Sequence, residues 1–302
     1  PQVGLKHSHF FWFDFVFVGR SRAVSLRGPS TKSGDPMHKS ILPFSVLLVV
    51  ACSGRGGETG EDHDDYTDSS DPGDGSSEGM AGFAVEGSAL DLMDGTQTAA
   101  EGLCVHAADP TPAISGGEVE LLRSDFVGAE GAYSVEGIET TSAVGLLMII
   151  DDCNDEGTVM RTATGIAAAT YAGLGTGDVI DERTLFSINA TSLESISSGL
   201  ANAGYTGDIE VDGALIGFIF DAAEAPVDGA EVAGPEGYPT WYLQEDSSWA
   251  EGGTVASADG TFIIPGAPIY NYTTSADGMS FDALLAGSQP GHAVVVSFTA
   301  TE

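Results

Sequence analysis

After Cys52 the chain contains no lysine, and only four arginines accompany 43 acidic residues, which gives this part a net charge of −39. Before Cys52 the balance is reversed, because six of the ten basic residues lie there with only two acids. A surface this acidic repels nucleic acid and anionic lipid headgroups, so both are poor partners. The ordinary interpretation is solubility in a salty medium, and a functional acidic surface is the alternative.

The sequence also lacks the motifs of common hydrolases and zinc enzymes. The one Gly-x-Ser-x-Gly run, Gly75–Gly79, lies in a Gly-, Ser- and acid-rich segment rather than between a strand and a helix, so it is not a nucleophile elbow. No His/Cys cluster has zinc spacing, and only His63, His106 and His292 lie after Cys52. A Ser-His-Asp site is defined by geometry rather than by order along the chain, so it stays open. Because no pattern points to such a site, we predict a protein that is not an enzyme and has no catalytic residues.

The first methionine, Met37, opens a segment with the order of an export signal. His38 and Lys39 form a short basic region, and the apolar stretch Ile41–Val50 follows. A core of about ten apolar residues is too short to span a bilayer but suits a signal peptide. The final Val-Val-Ala before Cys52 resembles a bacterial lipobox, in which the cysteine sulfur receives a diacylglyceryl group.

This resemblance divides the N-terminal region into three parts. Residues 1–36 are predicted to be an untranslated, disordered extension, since the aromatic run Phe10–Val18 is short and interrupted by Asp14. Residues 37–52 are the predicted lipoprotein signal peptide, with lipid attachment at Cys52. Residues 53–82 are rich in Gly, Ser, Asp and Glu, which predicts an acidic disordered tether. The alternative is a soluble secreted protein whose Cys52 is an ordinary thiol.

The cysteine count fits the lipoprotein interpretation. The chain has three cysteines, and lipidation of Cys52 leaves Cys104 and Cys153 as one pair. In an oxidising compartment such a pair predicts a disulfide. The alternative is a buried free thiol at Cys104, which lies in an alternating, strand-like run.

The rest of the chain is patterned as short strands separated by tight turns, with 41 glycines overall. Two stretches resemble each other in the order of their strands and turns. The later stretch comprises Gly217–Asp221, Ala225–Val232 and Ala258–Gly266. The earlier stretch comprises Gly102–His106, Ser115–Leu121 and Glu130–Gly137.

That order resembles the carboxypeptidase regulatory-like domain, a small transthyretin-like sandwich with the pattern Gly-x-Val-x-Asp, Pro-x-x-Gly-Ala-x-Val and Asp-Gly-x-Phe. The copy in residues 214–302 matches nearly every landmark. The copy in residues 83–153 departs from it, with His106 in place of the Asp, Gly116-Gly117 in place of Gly-Ala, and Glu130-Gly131 in place of Asp-Gly. The resemblance implies a structural or interaction role without catalytic residues.

Residues 154–213 link the two predicted sandwiches. Thr191–Glu194 has the spacing of a capping box, and Gly204 is placed to end a helix. The apolar residues between them recur on one face, at Leu193, Ile196 and Leu200. We therefore predict one short amphipathic helix near 192–203 that packs on a neighbouring sheet.

Two features are candidates for ligand binding. Asp152, Asn154 and Asp155 resemble the start of a calcium loop, but Ala163 stands where an EF-hand has its bidentate Glu. A looser Ca²⁺ site there or in the tether is one hypothesis, and a solvated acidic turn is the default. No other cofactor is predicted.

The second candidate is an insertion near residues 235–251 that contains Tyr238, Trp241, Tyr242 and Trp249. Exposed aromatic rings on a β-sandwich commonly bind sugar rings or a protein partner. The alternative is that the rings pack against the sandwich and cover its open edge.

The sequence thus predicts a mainly β protein with two small Greek-key (prealbumin-like) sandwiches, one short helix between them and a disordered N-terminal region. It predicts a non-enzymatic structural or interaction module of the bacterial cell envelope, anchored in the outer membrane by an N-terminal lipid. The alternatives are a carbohydrate- or protein-binding module using the aromatic insertion and a calcium-dependent adhesion module.

Overall fold

A computed structural model describes residues 82–95, 97–114, 117–154, 157–255 and 260–301, together with the backbone of 48–49. The predicted extension, lipidation site and nearly all of the predicted signal peptide and tether lie outside these residues. The two residues described within the predicted signal peptide form a short strand.

The described chain is mainly β, as predicted. Its strands are β1 Leu48–Val49, β2 Phe83–Asp91, β3 Cys104–Asp109, β4 Glu120–Phe126, β5 Ala132–Ile138, β6 Leu146–Asp151, β7 Val159–Ile166, β8 Val179–Asn189, β9 Ala214–Phe220, β10 Glu231–Ala233, β11 Trp241–Leu243, β12 Trp249–Glu251, β13 Phe262–Pro265, β14 Tyr270–Ser275, β15 Ser280–Phe281, β16 Leu284–Ala286 and β17 His292–Thr301. The α-helices are α1 Thr111–Ile114, α2 Ala168–Tyr171, α3 Ala190–Ala203 and α4 Ile209–Asp212, with a 3₁₀ turn at Ala129–Gly131.

One large sheet contains strands from both predicted sandwiches and from the segment between them. Its main path runs β12-β11-β13-β9-β17-β7-β6-β3-β4. The C-terminal strand β17 lies at the middle of this path and is parallel to both β9 and β7. Strand β8 pairs with the start of β7, and β2 joins β8 in parallel and β5 in antiparallel orientation.

A second, small sheet has the order β1-β16-β14-β10. Its buried side chains, such as Tyr272 and Val232, share a core with Leu215, Phe262 and Val294 of the large sheet. This pairing of an inner face with an inner face is the arrangement of a β-sandwich.

Strand β6 shows how the two predicted sandwiches share one sheet. All six of its residues are buried, which is typical of a strand covered on both faces. Its side chains alternate between cores: Leu147 and Ile149 lie in the core with β9 and β17, whereas Met148 and Ile150 pack with Val85 of β2 and its neighbours. The two cores are therefore separated only by the thickness of the large sheet.

The segment predicted to be a link contributes two long strands, β7 and β8, as well as the predicted helix. Helix α3 begins at Ala190, and the Asn189 side chain caps it by accepting a hydrogen bond from Ser192 N at 2.9 Å. It ends at Gly204, which adopts the left-handed conformation with φ of 111°. The start therefore lies before the capping box that the sequence indicated.

Helix α3 packs on the large sheet through a third core. Its three predicted apolar residues are buried there with Ile216, Trp241 and Trp249. The buried carboxylate of Asp91 ties β2 to this helix, because it accepts hydrogen bonds from Ser192 Oγ at 2.8 Å and Asn189 Nδ2 at 2.6 Å. The backbone N–H groups of Met93 and Asp94 also donate to it, so this buried polar group is fully partnered.

Candidate functional site

The predicted disulfide is present between Cys104, at the start of β3, and Cys153, two residues beyond the end of β6. Their Cα atoms are 5.1 Å apart. The two strands pair antiparallel, with Cys104 opposite Asp151, so the register of the sheet brings the cysteines together. Cys104 is buried and Cys153 is exposed, which leaves one sulfur of the bond accessible to solvent.

A polar cluster lies beside the disulfide on the same face of the large sheet. It consists of His106, Ser124, Asp151 and Arg161, and we call it the His106 cluster. Because side chains alternate along a strand, His106 shares a face with Cys104. Its Nδ1 lies 2.7 Å from Ser124 Oγ, and its Nε2 lies 3.3 Å from Asp151 Oδ1.

Asp151 is the centre of this cluster. Its Oδ2 lies 3.1 Å from Arg161 Nε, an ion pair whose N–H direction falls outside hydrogen-bond geometry. Its Oδ1 also accepts a hydrogen bond from the backbone N–H of Cys153 at 3.0 Å. The carboxylate therefore connects β3, β6, β7 and the turn that carries the second cysteine.

Electrostatics keep Asp151 ionised although it is buried. Burial by itself raises the pKa of its carboxyl. The hydrogen bonds with His106 and the Cys153 backbone, together with the electrostatic attraction of His106 and Arg161, outweigh this effect and hold the pKa below its ordinary value. The buried acid is thus a charged, well-partnered group at neutral pH.

Ser124, His106 and Asp151 are the residue types of a hydrolytic triad, but the imidazole is reversed, since Ser124 lies at Nδ1 and Asp151 at Nε2. Two further features distinguish them from a triad. Ser124 lies within the regular ladder of β4 and β3 rather than on a sharp turn. Arg161 also pairs with the carboxylate, which weakens its ability to stabilise an imidazolium. This arrangement therefore supports strand attachment better than acyl transfer.

Most of the aromatic rings in the insertion are buried and do not form an exposed platform. Trp241, Tyr242 and Trp249 are buried, with Trp241 only 2% exposed, as the packing alternative predicts. The Trp249 ring lies so close to Gly199 of α3 that a Cβ there would collide with it. Tyr242 Oη accepts a hydrogen bond from Val232 N at 2.7 Å. The prediction that these three rings form a binding platform is therefore wrong.

Tyr238 differs from its three neighbours, because 41% of its surface is exposed. Tyr270, on the small sheet, is similarly exposed and makes an edge-to-face contact with buried Tyr272 at a ring separation of 5.7 Å. Both Tyr238 and Tyr270 lie near enough to Tyr272 to raise the pKa of its phenol, after the larger effect of burial. Tyr238 of the insertion and Tyr270 of β14 are thus two exposed tyrosines that each interact with buried Tyr272.

The predicted calcium loop is only partly described. Asp152 directs Oδ2 to the backbone N–H of Thr158 at 2.9 Å and to its hydroxyl at 3.3 Å. Asn154 is exposed, and Asp155 lies outside the described residues. The Asp152 carboxylate therefore stabilises its own loop, and Ca²⁺ binding stays a prediction.

A cleft of about 610 Å³ lies at another place, between the segment 138–143 and the segment 171–176. Tyr171 lies in its wall, stacks on Phe83 at 5.7 Å and donates a hydrogen bond to Ser142 O at 2.8 Å. The Tyr171 hydroxyl is thus satisfied within the protein. The cleft brings none of the predicted site residues together.

Sequence reasoning missed the His106 cluster as a unit. From the sequence, His106 was noted as one of three histidines after Cys52 and as a departure from the family pattern. Ser124, Asp151 and Arg161 were not predicted as site residues. The signal that identifies the cluster is the disulfide, because pairing Cys104 with Cys153 aligns the run after Cys104 antiparallel to the run before Cys153. In the observed register Asp151 lies opposite Cys104 and His106 lies opposite Ile149, so His106 and Asp151 are diagonal neighbours on one face of the sheet.

No protein-family model and no curated protein matches this sequence. Solved structures that match in part include the Bacillus anthracis TIE protein, a double mutant of the shaft pilin SpaA from Lactobacillus rhamnosus GG, and a streptococcal ancillary pilin. Their identities are 11%, 7% and 11%, and their TM-scores are 0.22, 0.24 and 0.22. Each match covers 74% of this chain, but 35%, 99% and 64% of the other chain. Values this low transfer no function.

Within the described residues, no helix is long and apolar enough to cross a membrane.

Proposed function

We propose that this protein is an exported, non-enzymatic structural or interaction module of the bacterial cell envelope, held at the outer membrane by a lipid on Cys52. The observation that carries the proposal is the disulfide between Cys104 and Cys153. It is typical of an oxidising compartment, and it accounts for two of the three cysteines. Cys52 is then the cysteine that the lipobox-like run assigns to lipid attachment.

The charge distribution supports the same arrangement. Basic residues are concentrated before Cys52, and the chain after it is strongly acidic. Anionic headgroups repel such a chain, so a lipid and a spacer are a suitable way to hold the sandwich near a membrane without adsorbing it. Stable anchoring needs more than one acyl chain, which a lipidated N-terminal cysteine supplies.

The non-enzymatic part of the proposal is supported by the His106 cluster. The arrangement closest to a catalytic site has its serine in a regular strand and its acid paired with Arg161. Both features suit a polar contact that joins strands. The role we propose therefore depends on the surface and the anchor of this protein.

The anchor is tested by comparing Cys52→Ser with Cys153→Ser in the native host. We expect Cys52→Ser to lose incorporation of a labelled fatty acid and to leave the membrane fraction. Cys153→Ser is the matched control, because it removes a thiol and the disulfide but should keep the label and the membrane association. Cys52→Ser that still sediments with the envelope would contradict the anchor.

A second candidate function, recognition of a glycan or protein, rests on the exposed pair Tyr238 and Tyr270. Tyrosines combine an apolar face with a hydroxyl and are enriched at binding surfaces. A glycan array with the full chain carrying Cys52→Ser tests this candidate. Binding that Tyr238→Ala and Tyr270→Ala both remove, with an unchanged melting temperature, would support it, and a blank array would count against a glycan partner.

A further inference from the structure

We propose that the reduced form of this protein binds one Zn²⁺, or another thiophilic divalent ion, through Cys104, Cys153, Asp151 and His106. The proposal goes beyond the envelope role and does not depend on it. It concerns the dithiol form, which every newly made chain has before Cys104 and Cys153 are oxidised.

The geometry gathers three donor groups at one point of the sheet, with a fourth beside them. The ligand atoms of Cys104, Asp151 and Cys153 all lie within 4.8 Å of one another. His106 lies outside this group of mutually close atoms, but its Nε2 is 3.3 Å from Asp151 Oδ1, which makes it the candidate for the fourth donor. Three of these residues stand on two hydrogen-bonded strands, so the sheet fixes their spacing before any ion binds.

The donor types select the kind of ion. Two thiolates, one imidazole and one carboxylate form a four-coordinate set of the type that zinc prefers. Hard ions such as Ca²⁺ and Mg²⁺ need a shell of oxygens, which this place does not offer. The thiolates and the carboxylate are balanced in charge by the divalent ion and the Arg161 guanidinium.

Two residues outside the donor set orient it. The Nδ1 of His106 is held by Ser124 Oγ at 2.7 Å, which turns Nε2 toward Asp151. Arg161 holds the other oxygen of Asp151 at 3.1 Å. Partners of this kind fix the orientation of metal ligands, and their loss typically lowers metal affinity about 10- to 100-fold.

Metal and disulfide exclude each other at this site. Opening the disulfide consumes two electrons and two protons from a dithiol reductant, which itself becomes a disulfide. Zn²⁺ then displaces both thiol protons, and they pass to solvent. Bound Zn²⁺ should therefore slow the oxidation of Cys104 and Cys153, and the disulfide should abolish binding.

The first test uses the full chain with Cys52→Ser, so that the only thiols are the two at the site. The protein is reduced, freed of oxygen and titrated with Co²⁺ as a spectroscopic probe. We expect a thiolate-to-cobalt charge-transfer absorption that saturates at one equivalent and that Zn²⁺ removes. The oxidised protein should give none. No such band in the reduced protein, or saturation at one ion per two chains, would overturn the proposal.

The second test separates this four-ligand site from a bare dithiol. His106→Gln and Asp151→Asn should each weaken Co²⁺ binding by about 10-fold or more, and Ser124→Ala by about 10-fold. Asp125→Asn, an acid next to Ser124 on β4, and His63→Gln should leave the affinity unchanged. Equal affinity in the His106 and Asp151 variants and the controls would contradict the assignment.

A third measurement does not depend on the stability of those variants. Zn²⁺ should slow the oxidation of the reduced Cys52→Ser protein by a mild disulfide oxidant at least 10-fold, with Ca²⁺ as the matched control ion. Oxidation at the same rate with Zn²⁺ as with Ca²⁺ would overturn the proposal.

Discussion

The two ends of the large sheet are stabilised by different kinds of interaction. At the end formed by β13, β11 and β12, two tryptophans are buried against helix α3, and the contacts are apolar. At the end formed by β6, β3 and β4, a disulfide and the His106 cluster join the strands. The comparison shows that the end formed by β6, β3 and β4 adds a covalent and an ionic link to its apolar cores, whereas the other end relies on packing against α3.

Removing a tryptophan is expected to have the largest effect. Trp241→Ala should lower the free energy of unfolding by about 3–5 kcal/mol, because it leaves a large cavity between α3 and the sheet. Chemical denaturation followed by circular dichroism measures it. Tyr238→Ala is the control from the same insertion and should change stability by less than about 0.5 kcal/mol, since its ring is exposed. Equal losses would show that the insertion does not divide into packed and exposed parts.

Opening the disulfide should have the next largest effect. Cys104→Ser combined with Cys153→Ser should cost about 2–4 kcal/mol, because the unfolded chain gains freedom when the loop is no longer closed. The reference is the oxidised parent, measured in the same denaturation experiment. Parent and variant both carry Cys52→Ser. A loss well below 1 kcal/mol would mean that the His106 cluster alone holds this end of the sheet.

Replacing the central acid of the His106 cluster should cost less, and its effect should depend on pH. Asp151→Asn should lower stability by about 1–3 kcal/mol at pH 7, since Arg161 and His106 lose their partner. The pKa of Asp151 is lowered on folding from 3.8, so its contribution is present above that pH and is lost as the pH falls through the folded-state value. The difference between variant and parent should therefore shrink below about pH 4. A constant difference from pH 7 to pH 2 would show that ionisation is irrelevant.

Local patterns predicted many of the strands correctly, because turn residues and alternation act over a few residues. The run Gly217–Asp221 lies almost wholly within β9, and the run Glu130–Gly137 lies within β5 from Ala132 onward, after a 3₁₀ turn that includes its first two residues. Gly229 has a φ of 74°, as a tight turn before β10 requires. The helix was predicted by its caps and its apolar spacing, although Asn189 caps it rather than a residue of the later box.

The site was less accessible to prediction than the strands. The disulfide followed from counting cysteines, but the other members of the His106 cluster come from three other strands that are distant along the chain. The burial of Trp241 and Trp249 depends on a helix that precedes them in the sequence by tens of residues. An aromatic residue has the same local pattern in a core as on a surface, so its environment decides its role.

By itself, the sequence determined the mainly β class, the position of the helix, the pairing of Cys104 with Cys153 and the charge of the chain after Cys52. Each of these depends on residue type or short-range spacing. Only the tertiary structure decided that β17 lies between β9 and β7, which merges the two predicted sandwiches into one sheet. The physical reason is that Val294, Val295 and Val296 are buried on both faces of their strand. A continuous apolar run of this kind can pair with many different strands, so it does not specify its neighbours. The choice among them is made by the packing of the whole sheet, which also places His106 and Asp151 beside the disulfide.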